Sequence, residues 1–299
     1  MEQVLPFLLF LGAGLLFKQL PVFPADTDRS LNLYVIYIAL PALILLQVPT
    51  LTISSHMLVT VLMPWAVVLV SASLTLLVCK LARWPREVTG ALLMVVPLGN
   101  TSFFGIPMVE QFFGISAVSY AILYDQLGSF LALSTYGTLI LAIYGRGTRT
   151  GTLQILIKII TFPPFIALTA ALFLPMNSLL ATLKPILTTA SCSLVPVVLV
   201  AIGFQMQFLL PGHEIGPFIV GLLIRLLITP VLFLLACKLL DISGQAVQVS
   251  LFETAMPPMV TAGALASIAG LRPGLTSAMV GFGILFSFLT LPLIFQWIQ

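Results

Sequence analysis

Residues Val96–Met108 read Val-Pro-Leu-Gly-Asn-Thr-Ser-Phe-Phe-Gly-Ile-Pro-Met, inside a longer and otherwise apolar stretch. Proline lacks the backbone N–H and crowds the carbonyl group four residues earlier, so a helix that contains both Pro97 and Pro107 cannot be regular throughout. Five of the nine residues between the two prolines are glycine or small polar residues. The stretch therefore predicts a helix that breaks near the middle of a membrane.

A second stretch with adjacent prolines lies in the C-terminal half, where Glu253–Gly263 read Glu-Thr-Ala-Met-Pro-Pro-Met-Val-Thr-Ala-Gly. Its break is expected at Pro257 and Pro258. Unpaired backbone groups in hydrocarbon are costly, so two such breaks persist only where protein or a watery cavity satisfies them. We therefore expect the two breaks to meet. Half-helix N-termini, each with a charge of about +0.5, would then point at a shared position that suits a carboxylate.

The composition indicates that lipid is the main solvent. Of the 299 residues, 60% are hydrophobic and 7% are charged, whereas a soluble domain carries about 25% charged residues. Apolar stretches of about 20 residues recur, long enough to cross a bilayer core and without the alternation of barrel strands. The sequence predicts an all-α membrane protein with ten spans, at about 4–20, 30–49, 56–79, 87–112, 116–144, 153–174, 178–206, 215–238, 246–270 and 274–297.

Lysine and arginine set the predicted orientation, because short basic loops stay on the cytoplasmic side. With both termini outside, two basic residues, Lys184 and Lys238, fall in outer connections, and Arg225 lies within a span. Nine fall in cytoplasmic connections: Lys18, Arg29, Lys80, Arg83, Arg86, Arg146, Arg149, Lys158 and Arg272. We therefore expect a multi-pass protein of the bacterial inner (plasma) membrane, and no nucleic-acid partner.

Prolines also fall at matched places in the two halves of the chain. The pairs are separated by 155 to 166 residues: Pro6 with Pro163, Pro41 with Pro196, Pro64 with Pro230, and Pro97 with Pro257. Five spans per copy is an odd number, so the second copy must be inverted relative to the first. The pattern predicts a 5+5 inverted repeat, residues 1–145 and 152–299, with spans 4 and 9 as broken crossover helices.

Both crossovers resemble those of the auxin efflux carrier (AEC) family. Asn100–Pro107 is similar to that family's N-T-x-x-x-G-I-P motif, and Ala255–Pro257 is similar to the A-L-P of its second crossover. With Leu40-Pro41 in span 2, the resemblance covers essentially the whole chain. The short linker between the halves resembles the small microbial members rather than the plant carriers. Pro258 stands where the plant carriers have a polar residue.

The resemblance implies a sodium/proton-antiporter-like fold, in the superfamily of bile acid transporters, auxin carriers and antiporters. It implies a scaffold of spans 1, 2, 6 and 7 (about 1–50 and 153–206), through which a homodimer would form. It also implies a transport core of spans 3–5 and 8–10 (about 56–144 and 215–297). The crossover asparagine and prolines line the family's substrate site, which assigns that role to Asn100, Pro107 and Pro257. The broken stretches themselves add Thr101, Gly105 and Pro258 as substrate-binding candidates.

Glu253 is the candidate cation ligand, because a carboxylate inside a span is costly and tends to be functional. It occupies a position like that of the glutamate that binds sodium in the related bile acid symporters. Asn100, Thr101 and freed carbonyl groups could complete a set of oxygen ligands. The alternatives are a carboxylate that titrates with protons and a structural pair with Arg225. Sodium is the one cofactor that the sequence suggests.

Other polar residues in the spans have two interpretations each. Asp125, a further substrate-binding candidate, could line the cavity or titrate during transport, or it could instead bond to a neighbouring broken helix. Arg225 could counter an anionic substrate, although a fixed ion pair or an end that reaches water is favoured. Asn32, Gln205 and Gln207 could contact substrate from the scaffold side, although such residues more often cap helices or face water.

The sequence lacks the residues of a membrane enzyme. His56 and His213 lie at span edges, the cysteines lack CxxC spacing, and no aspartate-rich motif for magnesium is present. The sequence therefore predicts a secondary transporter that moves a small organic anion across the bilayer by an alternating-access, elevator-type motion. The alternatives are a sodium-coupled symporter that resembles the bile acid symporters, and a sensor or channel built on a transporter fold.

Overall fold

A computed structural model describes residues 5–50, 57–145, 151–173, 177–206, 208 and 212–299. Within these ranges all regular structure is helical, and the one β-type pairing is a bridge between Gly99 and Pro258. Most of the linker between the predicted halves, together with His56 and Gln207, lies outside the described residues. The prediction of an all-α membrane protein is confirmed.

The helices follow the predicted spans closely. They are α1 (Leu5–Phe17), α2 (Thr27–Gln47), α3 (Met57–Leu81), α4 (Arg86–Val95), α5 (Ile106–Phe113), α6 (Ile115–Tyr144), α7 (Thr152–Ile160), α8 (Pro163–Phe173), α9 (Asn177–Cys192), α10 (Leu194–Gln205), α11 (Ile215–Leu239), α12 (Gln245–Thr254), α13 (Val260–Ile268) and α14 (Pro273–Ile298). Predicted spans 4, 6, 7 and 9 each consist of two shorter helices.

Six helical segments of the described chain are long and apolar enough to cross a membrane by themselves. They are α2, α3, α6, α11, α14 and the segment Thr182–Gln205, which runs from α9 into α10. Large apolar side chains on their outer faces are exposed, such as Leu69 at 66% and Leu289 at 69%. Such surfaces suit lipid, because large exposed apolar patches are unfavourable in water. The count of ten spans and the inverted repeat remain predictions.

The predicted sixth span is interrupted where the sequence forecast one helix. α7 ends at Ile160, and α8 begins at Pro163 after a turn at Thr161 and Phe162. Proline is favoured in the first turn of a helix and cannot continue a preceding one, because it has no N–H to donate. Pro163 and Pro164 together therefore end one helix and begin the next.

The helices α1, α2, α8, α9 and α10 pack on one another. The closest approach joins α1 and α10, where a Cβ added to Gly14 would lie 2.2 Å from the Val200 carbonyl oxygen, and one added to Gly203 would lie 2.1 Å from that of Leu11. Small residues that let two backbones touch are typical of tight helix pairs in membranes. α1 and α10 thus form a tightly packed pair, called here the α1–α10 seam.

The long helices α3, α6, α11 and α14 surround the two broken helices, which consist of α4 with α5 and of α12 with α13. At one end of the bundle, Arg272 pairs with Glu214 at 3.2 Å and with Glu87 at 3.8 Å. At the same end, Lys18 Nζ donates to the Met206 carbonyl oxygen at 2.9 Å. These contacts join connections that the basic residues assign to the cytoplasm.

Candidate functional site

The first break separates α4 from α5. α4 ends at Val95, residues 98–100 leave the helical path, and a π-helical turn, Thr101–Gly105, leads directly into α5. Pro97 removes the donor that would continue α4, and Pro107 lies in the first turn of α5, where a missing N–H costs nothing. The sequence placed this break correctly.

The second break separates α12 from α13. α12 ends at Thr254, and α13 begins at Val260 after Pro257 and Pro258. The two breaks are hydrogen-bonded to each other: Asn100 N donates to the Pro257 carbonyl oxygen at 2.8 Å, and Met259 N donates to that of Leu98 at 2.9 Å. The predicted meeting of the breaks is confirmed, and a short antiparallel pairing satisfies backbone groups that lie between the helix halves.

Arg225 projects into this crossing from a π-helical turn of α11 and is 1% exposed. Its Nε donates to the Met256 carbonyl oxygen at 2.7 Å, and its Nη1 donates to those of Val96 at 3.3 Å and Pro97 at 3.2 Å. Neither of the favoured interpretations, an ion pair or an end that reaches water, describes this arginine. It binds carbonyl groups that follow α4 and α12, where each helix has ended and no longer supplies donors.

Asp125 is 2% exposed and begins a π-helical turn of α6. Thr101 Oγ1 donates to its Oδ1 at 2.6 Å, and Gln126 Nε2 donates to its Oδ2 at 2.6 Å. Of the two interpretations of Asp125, the structure therefore shows the second, a hydrogen bond to the neighbouring broken helix through Thr101. Both carboxylate oxygens are occupied, and Thr101 is held at the first break.

Glu253 lies in the last turn of α12 and is 0% exposed. Neither of its carboxylate oxygens has a hydrogen-bond partner among the described residues, and no ion pair joins it to Arg225 there. Its carboxylate lies against Gly105, where an added Cβ would be 2.3 Å from Oε2. The amide Nδ2 of Asn100 is likewise buried without a partner in the described chain. Among the described residues, the crossing therefore holds two buried polar side chains with unpaired atoms.

These groups fit a cation in part. Carboxylate oxygens without protein partners are what a buried sodium ion requires, and Asn100 and Thr101 lie at the adjoining break. Within the described ranges no cluster of three or more histidine, cysteine, aspartate or glutamate side chains could hold a transition metal. A sodium ion would instead depend on Glu253 with amide, hydroxyl and backbone oxygens.

A cavity of about 470 Å³ lies beside the crossing, between α2 and α10 on one side and α13 and α14 on the other. Phe103 and Val260 line it where it reaches the two breaks. Its polar lining consists of Asp28, Asn32, Gln205, Thr261, Ser267 and Ser277. Asn32 and Gln205 were candidates from the sequence, whereas Thr261, Ser267 and Ser277 were missed because nothing distinguishes them from other small polar residues in spans.

The substrate-binding candidates lie next to this cavity without lining it. Six of them, Asn100, Thr101, Gly105, Pro107, Pro257 and Pro258, are buried at the breaks, and Asp125 is buried behind the first break. The structure therefore brings all seven together at the crossing. The surface open to a solute is the neighbouring start of α13.

Comparison with known proteins gives the family. The chain is 26% identical to an uncharacterized transporter of Methanocaldococcus jannaschii, in an alignment that covers 100% of this chain and 98% of that protein. It is also 26% identical to an uncharacterized transporter of Methanothermobacter thermautotrophicus, over 98% of this chain and 96% of that protein. A family model described as "Membrane transport protein" matches residues 1–295. Because the match covers almost the whole chain, the protein belongs to this family of membrane transporters, the auxin efflux carrier family that its crossover motifs indicate.

Proposed function

We propose that the protein is a secondary transporter that moves a small organic anion by alternating access, with the anion bound where the two broken helices cross. The observation that carries this proposal is the hydrogen-bonded pair of breaks, Asn100 to Pro257 and Met259 to Leu98. Discontinuous helices that meet at mid-depth are the usual way in which transporters build a site from backbone groups.

The start of α13 is the best place for the carboxylate. The first N–H groups of a helix have no partner within that helix, and they carry a partial positive charge. In α13 the first backbone hydrogen bond that joins residues four apart runs from Gly263 N to the Met259 carbonyl oxygen, at 3.0 Å. Val260 and Thr261 precede it and line the cavity. A carboxylate there would meet backbone donors and the Thr261 hydroxyl.

The two ends of the crossing support alternating access. On one side the cavity extends toward Asp28 and Ser267. On the other side four phenylalanine rings, from residues 112, 113, 252 and 295, pack with centroids 5.0 to 6.1 Å apart. This arrangement suits a state open to the cytoplasm. In the other state the core helices would shift against the scaffold, with the tight α1–α10 seam fixed.

Glu253 supports coupling of the anion to a cation or a proton. An ionised carboxylate without a partner in the membrane is costly, and it would repel an anion at the same crossing. Binding of sodium or of a proton would remove that charge. The sodium-coupled symporter is therefore the second candidate function, with Glu253, Asn100 and Thr101 as ligands.

Thermal unfolding of the purified protein tests both candidates. The midpoint is measured in sodium and in potassium buffer, with and without a panel of monocarboxylates, dicarboxylates and bile acids, because a ligand of the folded state raises the midpoint. A carboxylate that raises the midpoint, and that enters proteoliposomes containing the protein, is the expected result. If no anion in the panel does either, the anion assignment is wrong.

The variant Glu253→Ala separates the modes of coupling. A rise in sodium that this variant abolishes would favour the sodium symporter. An anion response that is indifferent to sodium would favour a proton-linked or uncoupled carrier and would remove Glu253 as a sodium ligand. Flux far above the rates of carriers would favour a channel instead.

A further inference from the structure

Four helix ends meet at the crossing, and their charges oppose one another. α5, through its π-helical turn, and α13 begin there with ends of about +0.5 charge each, while α4 and α12 finish there with ends of about −0.5 each. Left alone, the two negative ends would cancel much of the attraction that the positive ends offer to an anion. Crossed helices by themselves therefore do not make a site selective for anions.

The hydrogen bonds of Arg225 all go to the negative helix ends. Its three hydrogen bonds go to the carbonyl groups of Val96 and Pro97, which follow α4, and of Met256, which follows α12. A cation at the C-terminal end of a helix neutralises the dipole there. Because one guanidinium reaches both ends, it also links the two broken helices to α11.

No other positive side chain is known to fill this role. Arg225 is the only buried lysine or arginine among the residues whose side-chain burial the structure describes. The other ionisable groups that interact with it there are Tyr124 and the carboxyl group of Glu253, with Asp125 beyond Glu253. None of these supplies positive charge, so the local balance depends on Arg225.

The guanidinium is placed to act without contact with the solute. It is 1% exposed, and its Nε and Nη1 donate to backbone carbonyl groups, so a passing anion would not displace it. Gly99 makes this placement possible, because a Cβ at that position would lie 1.8 Å from Nη2. From the sequence, Gly99 was predicted only to be part of the first helix break, and its contact with Arg225 was not predicted.

We propose that Arg225 is a positioning residue that sets the anion preference of the site. It neutralises the C-terminal ends of α4 and α12 and thereby leaves the N-terminal ends at the crossing free to attract a carboxylate. This inference rests on the proposed function, because it concerns the charge preference of the same site.

The test compares carboxylates with their uncharged amides. Apparent affinities of benzoate and succinate, and of benzamide and succinamide, are measured from midpoint shifts for the wild type, Arg225→Gln and Arg225→Lys. Glutamine can still donate hydrogen bonds to carbonyl groups but carries no charge, so the preference for carboxylate should fall at least about fivefold. Lysine should restore part of it. The exposed Arg83→Gln is the matched control and should behave as the wild type.

Gly99→Ala is the second variant, for use also if the Arg225 variants do not fold. It keeps the charge but forces the end of the arginine side chain away from its position, so carboxylate affinity should fall while amide affinity stays constant. A folded Arg225→Gln with unchanged preference, or a Gly99→Ala protein with unchanged carboxylate affinity, overturns the inference. If the wild type itself does not prefer any carboxylate to its amide, the anion assignment fails, and this inference fails with it.

Discussion

The two breaks have similar backbones and different side-chain chemistry. At the first break the polar side chain of Thr101 is bonded to Asp125, whose other oxygen is bonded to Gln126. At the second break the residues between the helices are apolar, and the nearby carboxylate of Glu253 has no partner in the described chain. One acid is thus used to hold the fold together, while the other is left available.

From this difference we infer that Asp125 is a structural carboxylate and propose that Glu253 is a functional one. A buried polar group that is fully bonded stabilises a single arrangement, whereas a buried acid without a partner costs free energy and persists for another reason. Glu253 reaches across to the first broken helix at Gly105, so both breaks contribute to the place where that acid lies.

The largest effect is expected from Gly105→Ala. The new Cβ would lie 2.3 Å from Glu253 Oε2, which is the end of a flexible side chain, so the carboxylate can move and the protein should still fold. Displacement of a functional group by about 1 Å can lower a rate about a hundredfold. We expect a loss of transport of about that size in proteoliposomes.

Gly12→Ala is the control for Gly105→Ala. Gly12 also lies in a helix, α1, but an added Cβ there would meet nothing within 4 Å. This variant should transport as the wild type does, with stability equal or slightly higher, because alanine favours a helix. Equal transport by both variants would show that the position of Glu253 does not matter.

The matched amides Asp125→Asn and Glu253→Gln should change stability in opposite directions. In Asp125→Asn a donor replaces one of two bonded acceptors, which leaves a buried group unsatisfied at a cost of about 1–3 kcal/mol. In Glu253→Gln no bond within the described chain is lost and a buried charge is removed, so stability should stay equal or rise. Unfolding midpoints in potassium buffer measure both. A large loss of stability in Glu253→Gln would mean that this acid is structural.

The sequence predicted the breaks well because proline acts locally. Pro97, Pro107, Pro257 and Pro258 remove backbone donors wherever they stand, and unpaired groups in hydrocarbon must find partners, so even the meeting of the breaks followed. The role of Arg225 did not follow. Its partners lie 31 to 129 residues away along the chain, and packing decides whether the arginine forms an ion pair or hydrogen bonds to backbone carbonyl groups. The cavity lining escaped prediction for the same reason.

Asn100→Ala should have a moderate effect on binding and a small one on stability. The amide Nδ2 of Asn100 makes no hydrogen bond with the described residues, so its removal leaves no other buried polar group without a partner there. If that amide contacts the solute or its cation, apparent affinity should fall about five- to tenfold, the value of one hydrogen bond to a charged group. Midpoint shifts with the best carboxylate measure this.

Asn32→Ala is the matched control for Asn100→Ala. Its Oδ1 is also buried without a partner in the described part of the chain, but it lies on the cavity wall formed by α2. A larger loss of affinity in Asn32→Ala than in Asn100→Ala would place the main polar contact on the scaffold side rather than at the first break.

The smallest effect is expected from Pro258→Ala. The two hydrogen bonds that join the breaks use the carbonyl group of Pro257 and the N–H of Met259, so neither involves Pro258 itself. Alanine would add one N–H in a buried position, at a cost of up to about 1–3 kcal/mol if nothing accepts it. Affinity for the carboxylate should change less than about threefold, a difference of less than about 0.7 kcal/mol. A larger change would mean that the proline ring touches the solute, and that the second break binds through a side chain as well as through its backbone.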